Sequence, residues 1–225
     1  MRGFLGSVVF VVSVATAACG SGAKNGAVNG ISCDPFTACG GNIVGTWRQV
    51  SNCGSVSSSP CPSSERIAFK SSVTQATYTF ASDGTFTFSA SGDLTEALSY
   101  PLACLGGITD AGIPQACADI ESRFVTPTQT GDAGAPTVVV KSASCSAAAN
   151  DTCACTAVLS NPGAQATTSG SYTTSGNQLT LVASASGGGV QDAGADSVSE
   201  YCVSGNTLTL HFSSSSSDGV MTLTR

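Results

Sequence analysis

A hairpin pattern occurs twice near the C-terminus of this chain. Residues 171–182 are SYTTSGNQLTLV, and residues 200–211 are EYCVSGNTLTLH. A looser copy, YTFASDGTFTF, lies at residues 78–88. Each copy has two alternating runs around a turn that contains Gly, and Gly and Asn tolerate the positive φ that tight turns need. Because alternation with a period of two places apolar side chains on one face of a strand, the pattern predicts β-hairpins.

The rest of the chain continues in the same way, with short alternating runs separated by turn residues. The predicted strands lie at residues 43–53, 65–71, 75–81, 85–90, 95–102, 137–145, 153–160, 167–174, 178–184, 197–203, 207–212 and 220–225. One helix is predicted at residues 114–124, because apolar residues recur there at helical spacing after Pro114. Short connections favour antiparallel pairing. We therefore expect an all-β fold: an antiparallel up-and-down barrel of about eight strands with one short helical insert, or alternatively a β-sandwich.

Eleven cysteines in 225 residues indicate an exported, disulfide-bonded protein. Only 10% of the residues are charged and 6% are aromatic, so the core is expected to be light for the length of the chain. Disulfides offer a second source of stability.

The N-terminus predicts the route of export. Arg2 precedes an apolar run at residues 4–14, which is too short to span a bilayer, and small residues then lead to Cys19. This arrangement resembles a bacterial lipoprotein signal, which implies cleavage before Cys19 and a lipid on that residue. The alternative is ordinary signal-peptidase cleavage after Ala17 or Ala18. Lipidation of Cys19 would leave ten cysteines, an even number that can form five disulfides.

The predicted organisation has three parts: a signal peptide at residues 1–18, a flexible tether at 19–42 and a β domain at 43–225. The full chain has a net charge of −6. Arg2 is the only charged residue of the predicted signal peptide, so the mature chain stays acidic after cleavage. Because an acidic surface repels phosphate groups, we expect no nucleic-acid partner. We expect a monomer, anchored to the bacterial outer membrane or cell surface through Cys19, or alternatively secreted.

Disulfide pairing cannot be fixed from sequence, and local closure is the simplest hypothesis. It predicts four local bonds and one long-range bond, with Cys153 as an alternative to Cys155 in the last: Cys33–Cys39, Cys53–Cys61, Cys104–Cys117, Cys145–Cys153 and Cys155–Cys202.

Gly45-Thr46-Trp47, the hairpin Thr79-Phe80 to Thr85-Phe86 and the closing residues MTLTR form an ordered set. This set resembles the small bacterial lipocalin-like domains, over roughly residues 43–225. The resemblance implies an eight-stranded barrel in which Trp47 packs across the closed end beneath Arg225, through a cation–π contact. The alternative is that Trp47 is simply a core residue. The helical insert and the many cysteines depart from the family pattern.

No catalytic constellation is recognisable. The single histidine, His211, alternates with Leu210 and Phe212, so it is expected on the solvated face of its strand, and the sequence suggests neither an orienting carboxylate nor a nucleophile for it. Cys153 and Cys155 could suggest a metal site, but an oxidising compartment favours disulfides there. We therefore expect no enzyme activity, no metal and no cofactor.

Two classes of function remain. One is a binding module that holds a small apolar ligand, and the other is a structural or interaction protein whose barrel is filled by its own side chains. An eight-stranded barrel can do either, because its interior is just large enough for one small ligand or for packed side chains.

Overall fold

The computed structural model describes residues 31–57, 61–62, 65–105, 112–125, 139–149, 151–160, 166–184 and 197–225. These residues contain ten strands, one 3-10 helix (Leu102–Leu105) and one α-helix, α1 (Gly112–Val125). The strands are β1 (Gly45–Val56), β2 (Ile67–Phe80), β3 (Thr85–Pro101), β4 (Val139–Ala148), β5 (Thr152–Ser160), β6 (Ala166–Ser175), β7 (Gln178–Ala183), β8 (Ser197–Ser204), β9 (Thr207–Ser213) and β10 (Ser217–Thr224).

The strands form one ring-like, antiparallel sheet. The hydrogen-bonded order is β2-β1-β10-β9-β8-β7-β6-β3-β5-β4, and β2 also pairs with β3, which closes a circuit of eight strands. The Trp47 strand, β1, pairs with the last strand, β10, from Arg48 opposite Thr224 to Val56 opposite Ser217. The all-β class with one short α-helix is confirmed in the described part of the chain.

Strand β3 belongs to two parts of the sheet. Its residues 85–90 pair with β6 within the ring, and its residues 93–101 pair with β5. Strand β4 pairs with the other edge of β5. Strands β4 and β5 therefore extend the sheet beyond the ring along the second half of β3.

Two pairs of predicted strands are each one continuous strand. The runs at residues 65–71 and 75–81 join in β2, and those at 85–90 and 95–102 join in β3. The register between β2 and β3 shifts between Val73 and Gln75. Such an irregularity reverses the face that later side chains occupy, so alternation breaks although the strand continues. The helix predicted at residues 114–124 lies within α1.

Two apolar clusters lie on the inner face of the sheet, which is the face that carries Trp47. The first, here called the packed end, consists of Ile43, Trp47, Phe80, Phe86, Leu179, Tyr201, Leu208, Leu210 and Leu223. The second lies between α1 and the sheet extension and consists of Leu98, Leu102, Cys117, Ile120, Cys153 and Cys155. Helix α1 thus covers the inner face of the sheet extension with its apolar side.

The described part of the predicted tether, residues 31–42, is attached to the sheet. Disulfides join Cys33 to Cys53 of β1 and Cys39 to Cys202 of β8. The backbone N–H groups of Cys39 and Gly40 donate to the Tyr201 carbonyl oxygen, at 3.1 and 2.9 Å. The rest of that segment, residues 19–30 with Cys19, and the predicted signal peptide lie outside the described residues. The domain boundaries therefore stay a prediction.

All ten of the cysteines expected to form disulfides do so, but the pairings predicted from local closure are wrong. The bonds are Cys33–Cys53, Cys39–Cys202, Cys61–Cys104, Cys117–Cys153 and Cys145–Cys155. Strand register supplies the reason in the β4–β5 hairpin, since Cys145 lies opposite Cys155, and Cys153 lies opposite Ala147. The long-range bond of Cys202 goes to Cys39, whose neighbour Gly40 forms a parallel bridge with Cys202.

In the part of the chain that the structure describes, no helix has the length and apolar character needed to cross a bilayer.

Candidate functional site

The packed end is organised around Trp47. Its side chain is completely buried. The indole Nε1–H donates a hydrogen bond of 2.7 Å to the Ile43 carbonyl oxygen, so the polar atom of the ring is satisfied. Trp47 lies opposite Tyr78 of β2, and opposite residues of an antiparallel pair share a face. The ring is therefore fixed inside the sheet.

Arg225 stacks on Trp47, as the resemblance implied. The guanidinium Cζ lies 4.3 Å from the indole centroid. Its Nη2 donates to the Val44 carbonyl oxygen at 2.8 Å. Gly45 has a φ of +139°, and a Cβ there would lie 3.3 Å from the Arg225 guanidinium, which explains why glycine precedes Trp47 by two residues. The chain end thus closes over the packed end.

A second feature of the inner face is polar. Asn52 of β1 lies opposite Ser71 of β2, and Ser71 lies opposite Glu96 of β3. Because opposite residues share a face, these three side chains form one row across three strands. Gln49 lies opposite Leu223 of the packed end and so belongs to the same face. We call Gln49, Asn52, Ser71 and Glu96 the inner polar row.

The inner polar row contains polar atoms that the protein does not satisfy. Gln49 is only 6% exposed, and its Nε2 has no hydrogen-bond partner. The Oδ1 atom of Asn52 is also buried without a partner. Burial raises the pKa of the Glu96 carboxyl group, because desolvation disfavours its charged form. Buried polar groups without partners are uncommon in folded proteins, so this row is a candidate binding site.

Strand irregularities explain how these side chains come to lie inside. The register of β1 shifts between Gln49 and Ser51 against β10, and between Arg48 and Asn52 against β2. The extra residue keeps both Gln49 and Asn52 on the inner face, although they are three positions apart. Sequence analysis missed this site. The sequence did contain an indication for Glu96, because this acidic residue alternates with Leu94 and Leu98 and so shares their face of β3.

Aromatic side chains lie on both sides of the inner polar row along the strands. Tyr78 and Phe88 approach to 4.6 Å between ring centroids next to the packed end. Tyr100 and Phe124 of α1 meet edge to face at 6.4 Å on the other side. Burial raises the pKa of Tyr78, and burial together with the charge of Glu96 raises that of Tyr100. The inner face therefore offers apolar and aromatic surface around a polar centre.

His211 lies on the outer face, where it is covered rather than freely solvated. Its ring stacks on Phe36 at 5.1 Å, and its side chain is 15% exposed. Nε2 lies 3.1 Å from an Asp218 carboxylate oxygen, and Nδ1 lies 3.5 Å from one of Glu200. The hydrogen bond with Asp218 is the main cause that raises the pKa of His211. The sequence did not suggest a carboxylate beside this ring, but Glu200 is its cross-strand partner.

The two cysteines that could have suggested a metal site are both oxidised. Cys153 bonds to Cys117 of α1, and Cys155 bonds to Cys145 of β4. A groove of about 480 Å³ lies beside the β1 irregularity, and its lining includes Val50, Lys70 and Thr95 together with Ser71 of the inner polar row. Lys70 is the single cationic residue in its lining.

Comparison of the chain with protein-family models, with curated proteins and with solved structures finds no match.

Proposed function

We propose that this chain is an exported module of the bacterial envelope, anchored through a lipid on Cys19, whose ring of strands is a lipocalin-like barrel that holds a small, largely apolar molecule. The circuit of eight strands and the contact of Arg225 with Trp47 support the barrel. The proposal includes no catalysed reaction, metal or cofactor. Five disulfides support an oxidising compartment.

The inner polar row carries the binding part of the proposal. A barrel that serves only as a scaffold gains nothing from a buried amide nitrogen without a partner, because such a group destabilises the fold by about 1–3 kcal/mol. Gln49 Nε2 and Asn52 Oδ1 are two groups of this kind on one inner face. A bound molecule that hydrogen-bonds to them would remove that penalty, and apolar surface on both sides would hold its body.

The second candidate is a structural or interaction module without a ligand. The packed end favours it, because nine buried side chains fill that part of the ring. The two candidates differ in the region of the inner polar row, which is either occupied by a ligand or closed by the protein itself.

Native mass spectrometry of the full chain, purified from an exporting host with its disulfides intact, distinguishes them. The binding module is expected to carry an additional mass of a few hundred daltons that denaturation removes. A protein that shows only its own mass after export in cells and after incubation with membrane extract contradicts ligand binding and leaves the structural module.

A further inference from the structure

We propose that the inner polar row recognises a small organic amine, with the ammonium group held by Glu96, Ser71 and Asn52 and an apolar body against the neighbouring inner face. This inference rests on the proposed binding function and specifies its ligand class. It assigns a cationic head to the largely apolar molecule of the proposed function.

The donors and acceptors of the row match an ammonium group. Glu96 and the Oδ1 atom of Asn52 accept hydrogen bonds, and the Ser71 hydroxyl can accept a third, whereas a primary ammonium has three N–H donors. Asn52 and Glu96 stand on strands two spacings apart, which is about 10 Å between backbones. Ser71 lies between them in the register and on the same face, so an ammonium group above Ser71 would have all three side chains as neighbours.

The charge of the row has the sign that selects a cation. The ion pairs of Lys141 and His211 go to Asp93, Glu200 and Asp218, not to Glu96. Desolvation without a compensating charge raises the pKa of Glu96. A cation beside this carboxylate is attracted strongly, because little water competes for the negative charge, whereas an anion is repelled by it. Within the described residues, no group of three or more potential ligands for a metal ion surrounds it, so the geometry points to an organic cation.

The surroundings of the row suit an apolar body. Leu94 and Leu98 flank Glu96 on the inner face of β3, and Met221 lies opposite Asn52. Leu94 and Met221 are only partly buried by the protein. Toward the packed end, the inner positions Ala76 and Ala90 lie opposite each other and carry small side chains. Gln49 Nε2 can donate to an oxygen or to an aromatic face of the ligand.

The test compares three probes of equal chain length: hexylammonium, hexan-1-ol and hexanoate. Isothermal titration of the purified, disulfide-bonded chain at pH 7 is expected to give affinity in the order hexylammonium, hexan-1-ol, hexanoate, with at least tenfold between the first two. Glu96→Gln, which keeps the shape and removes the charge, is expected to abolish that tenfold preference. Glu200→Gln makes the same change on the outer face and is expected to leave the preference intact.

The Glu96→Gln chain is expected to fold, because it replaces a desolvated charge by a neutral group, and urea unfolding checks this. Asn52→Leu is the second variant: it removes an unpartnered buried oxygen and should weaken hexylammonium binding severalfold. Equal binding of hexylammonium to wild type and to both folded variants overturns the amine site. If hexan-1-ol binds and hexylammonium does not, the amine inference fails and the binding module stands. If no probe binds and native mass spectrometry finds no ligand, both fail.

Discussion

Trp47 connects three parts of the chain through one side chain. It donates to the Ile43 carbonyl oxygen at the entry to β1, it lies beneath Arg225 at the C-terminus, and it shares its face with Tyr78 of β2. Its complete burial combines a large apolar area with a satisfied N–H group. The residue is thus both a core residue and the platform for the terminal cation–π contact, so the two interpretations of Trp47 are compatible.

Trp47→Ala is expected to lower the free energy of unfolding by about 3–5 kcal/mol, because it leaves a large cavity and removes the Arg225 contact. Urea unfolding followed by circular dichroism measures the loss. Trp47→Phe keeps an aromatic ring but loses the hydrogen bond to Ile43, so it should be milder. A near-neutral Trp47→Ala would show that the packed end does not depend on this ring.

His211 has a carboxylate beside each ring nitrogen. The hydrogen bond with Asp218 raises the pKa of His211, although burial opposes it, and the same bond lowers the pKa of Asp218. The His211 contribution to stability is complete below its ordinary pKa of about 6.5 and disappears as pH rises through the raised value. The Asp218 contribution is present above its ordinary pKa and is lost as pH falls through the lowered value. The pair therefore stabilises the fold most between these two ordinary values.

Asp218→Asn is expected to lower the pKa of His211 and to weaken the pH dependence of stability above pH 6.5. Proton NMR titration can follow this directly, because the chain has only one histidine. Glu200→Gln is the matched control and should lower the pKa less, since Asp218 provides the larger effect. An unchanged His211 titration in the Asp218 variant would contradict the hydrogen bond.

At the level of elements, the sequence predicted most strands because each has clear alternation bounded by turn residues. It split β2 where the register shifts beside Val73, since a bulge breaks the alternation without ending the strand. The inner polar row depends on the same kind of irregularity in β1, which sequence periodicity does not reveal. Glu96 was accessible to prediction, because an acidic residue between Leu94 and Leu98 stands out on an apolar face.

Disulfide pairing could not be predicted for a related reason. Cysteines bond to neighbours in space, and those neighbours are set by strand register and by the path of residues 31–42 over the sheet. Cys145 and Cys155 meet because they are opposite each other in β4 and β5. Cys33 and Cys39 lie close in sequence but bond to different strands, β1 and β8.

Removal of the Cys39–Cys202 bond is expected to destabilise the chain more than removal of Cys145–Cys155. The two bonds span 163 and 10 residues. In the chain-entropy model, a bond stabilises the fold by restricting the unfolded chain, by about 5 kcal/mol for the first bond and about 3 kcal/mol for the second. Serine pairs at each bond, compared by urea unfolding, measure the difference. Equal losses would mean that residues 31–42 contribute little to the stability of the ring.

At the level of the whole molecule, one inner face is shared by two apolar clusters and the polar row between them. At the packed end Arg225 stacks on Trp47, and the sheet extension is covered by α1, which Cys117–Cys153 ties to β5. Residues 31–42 are joined to β1 and β8 by disulfides; Phe36 stacks on His211 of the outer face, and the Gly41 carbonyl oxygen accepts from Tyr201 of the packed end. If a lipid sits on Cys19, the stretch from Cys19 to residue 30 is then the spacer between membrane and sheet.

The number of cysteines in disulfides is relevant to the proposed lipid anchor on Cys19. The chain has eleven, and the five bonds use ten of them with one another, so Cys19 is the one that stands outside these bonds. A cysteine outside these five bonds agrees with the proposed lipid on Cys19. Each buried methylene of an acyl chain contributes about 0.8 kcal/mol to membrane binding, so a multiply acylated Cys19 would hold the protein firmly.

Cys19→Ala is therefore expected to move the protein from the membrane pellet to the soluble fraction after cell fractionation, while the folded domain and its disulfides remain. The double variant Cys145→Ala/Cys155→Ala is the matched control: it removes the bond with the smaller expected effect on stability but keeps Cys19, and it should stay with the membrane. Mass spectrometry of the wild-type N-terminal peptide should show acyl groups on Cys19. An unmodified Cys19, or a Cys19→Ala protein that still sediments with membranes, would refute the lipid anchor and leave cleavage after Ala17 or Ala18 with secretion.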